Sequence, residues 1–190
     1  RIETANIKFA VSTPDDVTAE TLVQAKTVKS QLEKVFVVRR DVEGSINLTK
    51  EIENADENLE RVQTKAKEPM LIYFTSGTTG YPKAVMHNHT YTLAHIVTAK
   101  FWQNVKENGL HLTETGWGKA SWGKIYGQWL CGCGVMVYDF DIFSPEKLLK
   151  VIEDFKVTSF CAPPTVYRYF IKKDMKKFDL SHLEHITTAG

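Results

Sequence analysis

The chain has 190 residues, of which 43% are hydrophobic, 25% charged and 11% aromatic, the proportions of a folded globular protein and not of a disordered or collagenous one. Lys and Arg number 24 against 23 Asp and Glu, a net charge of +1, so no nucleic-acid partner recognised through charge is expected. No run approaches the roughly 18 apolar residues of a membrane span, and the three cysteines do not make a disulfide framework.

Residues 7–11 form a short apolar run that predicts a strand, broken by Pro14-Asp15-Asp16. Leu22, Ala25, Val28 or Lys29, and Leu32 then recur at helical spacing. Val35-Phe36-Val37-Val38 is an unbroken apolar run, the pattern of a strand covered on both faces. Strand, helix and strand in this order predict a parallel unit. Residues 41–69 are acidic and poor in aromatics, with one weak helix at 48–54, and predict a surface connection.

Residues 70–75 (MLIYFT) predict the next strand, which runs into a Gly, Ser and Thr loop at 75–83; residues 84–87 resume an extended path. Residues 90–106 carry Leu93, Ala94, Val97 and Phe101 on one side and predict a helix, stopped by Asn108-Gly109. A short strand and tight turn follow at 110–118. Residues 121–131 predict a helix despite Gly123 and Gly127, and 135–138 a strand. Ser144-Pro145-Glu146 supplies a capping hydroxyl, a proline suited to the first helical position and an early acid. The helix it opens has Leu148, Leu149, Ile152 and Phe155 as its buried stripe. Residues 157–161 predict a strand, and Pro163-Pro164 opens a helix through Val166, Phe170 and Ile171. Residues 186–189 begin one more strand. This alternation predicts an α/β fold with mostly parallel sheets flanked by helices.

Chemistry concentrates in Tyr73-Phe74-Thr75-Ser76-Gly77-Thr78-Thr79-Gly80-Tyr81-Pro82-Lys83. Gly77 and Gly80 let the backbone turn tightly and expose its N–H groups. Thr75, Ser76, Thr78 and Thr79 add hydroxyls, and Lys83 brings a cation to the far end. Backbone donors, hydroxyls and a lysine after a buried strand make a phosphate cradle. The spacing excludes the common P-loop, which needs Gly before Lys and Ser or Thr after it; here Pro82 precedes Lys83 and Ala84 follows. The G-x-G-x-x-G dinucleotide pattern is absent as well.

The run YFTSGTTGYPK resembles the phosphate-binding signature of the adenylate-forming (AMP-binding) enzymes, which include acyl-CoA synthetases, luciferases and the adenylation domains of peptide synthetases. Thr115-Gly116-Trp117-Gly118-Lys119-Ala120-Ser121-Trp122-Gly123, followed by Tyr126-Gly127, is similar to the acyl-pocket region of acetyl-CoA synthetase-like and medium-chain acyl-CoA synthetases. Ala162-Pro163-Pro164-Thr165 and Thr187-Thr188-Ala189-Gly190 stand in the order the family has them.

The resemblance implies part of the N-terminal domain of the acyl-CoA synthetase/luciferase-like fold. Residues 1–40 would be a partial first α/β subdomain, 41–69 the connection, and 70–190 an incomplete nucleotide- and acyl-binding subdomain. It implies a ligase of fatty acid metabolism with ATP, Mg2+ and coenzyme A as cofactors and a carboxylic acid as substrate. Thr75, Ser76, Gly77, Thr78, Thr79, Gly80 and Lys83 would hold the ATP phosphates, with the Thr75 hydroxyl also touching the metal. Gly190 would begin the loop against adenine. Trp117 would wall the acyl slot; for Trp122 and Tyr126 the pocket and an ordinary core position weigh equally. Ala84 departs from the family's usual Gly, and a backbone position with positive φ would tolerate Ala poorly.

The family's Mg2+-binding glutamate loop, ribose-binding aspartate and late catalytic lysine have no counterpart here, so no catalytic residue is assigned and the 190 residues are expected to be inactive alone. The competing readings are a non-catalytic nucleotide-binding module and an aryl or amino-acid adenylating ligase.

Other residues read more plainly. His87 and His89 lack a third ligand at a clear spacing and suit a helix entry or a surface. His95, His111, His182 and His185 show no pattern. Cys131-Gly132-Cys133-Gly134 is too tight for a zinc knuckle and fits small-residue packing, Cys161 fits a core strand, and Lys172-Lys173 with Lys176-Lys177 fits a solvated face. The start Arg1-Ile2-Glu3-Thr4 is neither a Met nor a leader and reads as a trimmed piece; with an odd cysteine count it predicts a reducing compartment, the cytoplasm.

Overall fold

The computed structural model describes residues 1–29, 31–75, 80, 82–113, 119–140 and 142–188; for 119–124 it describes the backbone path alone. The chain divides into two compact units, residues 1–65 with 71–86 and residues 66–70 with 87–190.

The first unit opens with β1 (Phe9–Ser12), α1 (Asp16–Val28) and β2 (Lys34–Val37). The strands pair in parallel, with Val11 opposite Phe36, as the strand–helix–strand reading anticipates. Pro14 ends β1, and the Asp15 carboxylate accepts a hydrogen bond from the Thr18 N–H (2.8 Å), capping α1 at its start. Val35 and Val37 of β2 are fully buried, whereas Phe36 on the other face is half-buried and meets the Phe9 ring edge-on at 6.4 Å. The apolar run is therefore fully covered on one face only.

The connection at 41–69 holds more structure than its composition indicates. Ile46–Asn47 forms β3, which adds to β2 in parallel, giving a sheet of order β1-β2-β3. A two-residue strand is too short to leave a periodic signal. The Asn47 side chain then caps α2 (Leu48–Glu53), accepting from the N–H groups of Thr49 and Lys50 at 3.1 and 3.3 Å.

Two further strands, β4 (Pro69–Thr75) and β5 (Lys83–Asn88), pair with one another. Ala84 lies within β5 and is not among the positive-φ residues, so its departure from Gly carries no backbone strain.

The second unit is built from α3 (Thr90–Phe101), β6 (Leu110–Thr113), α4 (Lys119–Leu130), β7 (Gly134–Met136), α5 (Pro145–Asp154), β8 (Ser159–Ala162), α6 (Pro164–Phe170), a 3-10 turn at Met175–Lys177, and β9 (His185–Thr188). A four-stranded sheet of order β7-β6-β8-β9 runs wholly parallel, each strand joined to the next in sequence through a helix. Leu112 and Phe160 point to one face and pack with Leu148, Leu149 and Ile152 of α5 and Val166 and Phe170 of α6. At the start of α5 Ser144 accepts from the Lys147 N–H (3.3 Å), and Pro145 takes the first helical position. Phe155, expected in the buried stripe, sits at the C-cap and is exposed, because the helix has ended before its turn comes round. Ile171 falls at the C-cap of α6 and is likewise exposed.

Helix α3 ends at Phe101, short of the expected 106, and its large apolar side chains face outward: Leu93, Val97 and Phe101 are exposed, Phe101 by 83%. The face turned to α4 carries His95 and Ala99 instead. A Cβ built on Gly127 of α4 would lie 2.8 Å from the His95 carbonyl carbon and 3.1 Å from the Ala99 Cβ, so the two helices approach too closely for larger groups. Gly127, which weakens a helix by propensity, is what this approach requires. No helix among the described residues is long and apolar enough to cross a membrane.

Candidate functional site

The loop at 75–83 leaves β4 through Thr75, which is half-buried at the strand's last position. Gly80 adopts φ +87° with open space around the position a Cβ would take. That conformation favours glycine. Lys83 opens β5 and is exposed, and it forms no ion pair with a carboxylate among the described residues. Ser76, Gly77, Thr78 and Thr79 lie outside the described residues. Thr75 and Lys83 thus flank the loop, one at the end of a strand and the other at the start of its partner.

In the second unit, parallel pairing puts the carboxyl ends of β7, β6, β8 and β9 along one edge, at Met136, Thr113, Ala162 and Thr188. Open parallel sheets bind ligands at this edge. Of the segments the sequence singles out, the Pro163-Pro164 turn follows β8 at this edge, while residues 114–118 and 189–190, next in the chain after β6 and β9, lie outside the described residues. Trp117 and Gly190 themselves, and the side chain of Trp122, lie outside the described residues. Tyr126 is half-buried on α4, its ring 6.2 Å from that of Trp129 and perpendicular to it. Tyr167 of α6 donates its hydroxyl to the Thr187 carbonyl (2.7 Å), and burial pushes its pKa up.

Sequence reading passes over a buried polar chain beneath this edge. His111 Nδ1 lies 2.7 Å from Ser159 Oγ, and its Nε2 lies 2.8 Å from Thr113 Oγ1 and 3.5 Å from Gln103 Nε2. Gln128 of α4 donates its amide hydrogen to Gln103 Oε1. His111 and Gln103 are each 1% exposed and Gln128 is fully buried. The sequence signal was faint, since His111 and Ser159 are far apart in the chain and meet only through the register of β6 with β8.

No group of three or more potential metal ligands, around His87 and His89 or elsewhere, occurs among the described residues. His89 occupies the N-cap position of α3, while the Asn88 side chain accepts from the Thr90 N–H (3.1 Å). The His87 ring instead lies tilted against Tyr91, centroids 4.2 Å apart, and Tyr91 meets His95 edge-on at 4.5 Å. None of the three cysteines is in a disulfide.

The fold belongs to the class of acyl-CoA synthetases and luciferases. Acetoacetyl-CoA synthetase from Streptomyces lividans matches with a TM-score of 0.84 at 17% identity, over 100% of this chain and 32% of that one. A red-emitting luciferase from Phrixothrix hirtus matches with a TM-score of 0.77 at 20% identity, over 100% of this chain and 38% of that one.

Among curated proteins, the human mitochondrial acyl-coenzyme A synthetase ACSM4 is 33% identical over 83% of this chain and 28% of its own length. The 4-hydroxybutyrate–CoA ligase 1 of Metallosphaera sedula is 32% identical over 96% of this chain and 33% of its own length. The chain therefore spans about a third or less of the relatives it matches. The family described as AMP-binding enzyme matches residues 1–190, and the chain belongs to it.

Proposed function

We propose that a protein carrying this chain activates a carboxylic acid with ATP and passes the acyl group to coenzyme A. In the first step a carboxylate oxygen attacks the α-phosphorus of ATP, the bond to the outgoing pyrophosphate breaks, and an acyl-adenylate forms. In the second the coenzyme A thiol adds to the acyl carbon, AMP leaves, and the thiol proton is released.

The observation that carries this reading is the loop after β4 in a chain matched from end to end by the family: Gly80 at φ +87°, Thr75 at its entrance and an exposed Lys83 at its exit. Attack of one anion on another needs the polyphosphate charge offset and its geometry held. Backbone N–H groups and hydroxyls of 75–80 would grip the β- and γ-phosphates, and the Lys83 ammonium would offset their charge. Mg2+, when bound with ATP, supplies further charge stabilisation. It commonly takes only one or two protein oxygens, which a half-buried hydroxyl such as that of Thr75 fits. Trp117, Trp122 and Tyr126 would line the acyl slot and Gly190 the adenine side.

The 190 residues alone would not complete turnover, a reading supported by relatives about three times as long. The compartment we favour is the reducing cytoplasm, on the strength of an odd number of cysteines, none of them in a disulfide; the mitochondrial names of the mammalian relatives make organelle fractionation the deciding test.

The function is tested by ATP–pyrophosphate exchange with the full-length protein over a series of aliphatic, hydroxylated and aromatic acids and amino acids, followed by product analysis with and without coenzyme A. Exchange with an aliphatic or hydroxylated acid and a CoA thioester product are expected. Exchange confined to amino acids or aromatic acids, or none with any acid, would overturn the reading.

A further inference from the structure

The polar chain of Gln128, Gln103, His111, Ser159 and Thr113 is costly to build. Its first four members are buried and Thr113 is half-buried, and burying polar groups costs stability unless they find partners. Both ring nitrogens of His111 are engaged: Nδ1 lies 2.7 Å from Ser159 Oγ, and Nε2 lies 2.8 Å from Thr113 Oγ1 and 3.5 Å from Gln103 Nε2. The Gln103 amide in turn meets that of Gln128. The imidazole therefore joins β6 to β8 on one side and reaches α4 through the two amides on the other.

One end of this chain lies at a place that matters for a ligand. Thr113 is the last residue of β6, at the ligand-binding edge of the parallel sheet. The other end, Gln128, is buried on α4, the helix that also carries Tyr126. His111 lies between them, locked on a strand whose alternate residue, Leu112, is packed in the opposite core.

We propose that His111 is a positioning residue for the carboxylic acid: through Thr113 on one side and Gln103 and Gln128 on the other, it fixes the carboxyl end of β6 relative to α4. The proposal rests on the acyl-activating function above. A hydroxyl hydrogen-bonded to His111 holds one rotamer and keeps the strand end in register with α4. Without the imidazole, Thr113 is released, and Ser159 and Gln103 lose a buried partner.

The test uses the full-length protein in ATP–pyrophosphate exchange with its best acid. Thr113→Val keeps the shape and removes the hydroxyl, so it preserves the fold. It is expected to raise the KM for the acid about tenfold, the scale of one lost hydrogen bond, while the KM for ATP stays within about twofold. Thr113→Ser restores the hydroxyl and is expected to recover the acid KM. His111→Phe should give the same selective loss, and the double variant should be no worse than His111→Phe alone, since both remove one connected chain. The proposal is overturned if Thr113→Val leaves the acid KM unchanged, if acid and ATP KM rise together, or if the two substitutions add. Absence of exchange in the unsubstituted protein would count against the acyl-activating function itself, a separate outcome.

Discussion

Gly127 of α4 lies directly beneath the backbone of His95 in α3, so close that a Cβ there would come within 2.8 Å of the His95 carbonyl carbon. Backbone cannot give way as a flexible side chain can. Gly127→Ala must therefore push the helices apart, and the expected cost is about 2 kcal/mol, within the range for overpacking. Denaturant midpoints at unchanged m-value check this. A neutral or stabilising result would mean that the two helices separate freely.

The Asp15 carboxyl is held at about 2, below its ordinary 3.8, first by the Thr13 hydroxyl and then by the hydroxyl and N–H of Thr18. A lowered folded-state pKa stabilises the fold above the unfolded value, and that contribution disappears as pH falls through the folded value. Asp15→Asn keeps a cap but cannot ionise. The advantage of the natural residue over Asn should be constant above 3.8 and should shrink as pH approaches about 2, as urea unfolding at stepped pH would record.

Burial pushes the Cys133 thiol up to about 11, and Cys161 is fully buried, whereas Cys131 is half-buried. The thiolate is the reactive form. Iodoacetamide on the native protein near neutral pH should modify Cys131 well before the other two, as peptide mass analysis over time would show. Equal rates would mean that the segment around β7 opens readily.

Lys83 is exposed at the start of β5, and its removal should leave the fold intact. Lys83→Ala in the full-length protein is expected to slow adenylation on the order of a hundredfold, the scale of one electrostatic donor lost from a transition state. The melting temperature should stay the same. An unchanged rate would remove Lys83 from the mechanism.

Ser144→Ala removes the hydroxyl that accepts from the Lys147 N–H at the start of α5. The expected loss is about 1 kcal/mol of unfolding free energy.

Much of this architecture can be read in the chain itself, and the failures have a common cause. Ser144-Pro145-Glu146 announces α5, and the strand–helix alternation announces parallel sheets, because capping and periodicity are local signals. What escapes depends on distant partners. Leu93, Val97 and Phe101 mark α3 as a helix but point outward, because the inner face is set by how closely α4 approaches. The two-residue β3 exists only by pairing with β2. His111 has no local motif, and its role becomes visible when β6 and β8 come into register. The phosphate loop is the opposite case: its composition stands out in sequence, while the described residues hold its two ends and Gly80.

The central claim is that residues 75–83 grip the triphosphate of ATP, and calorimetric titration of magnesium–ATP into the full-length protein tests it most directly. The expected result is saturable binding at one site, weakened about tenfold or more by Lys83→Ala, the scale of a charge-assisted contact. Absence of any binding heat from a folded protein across several temperatures would contradict it.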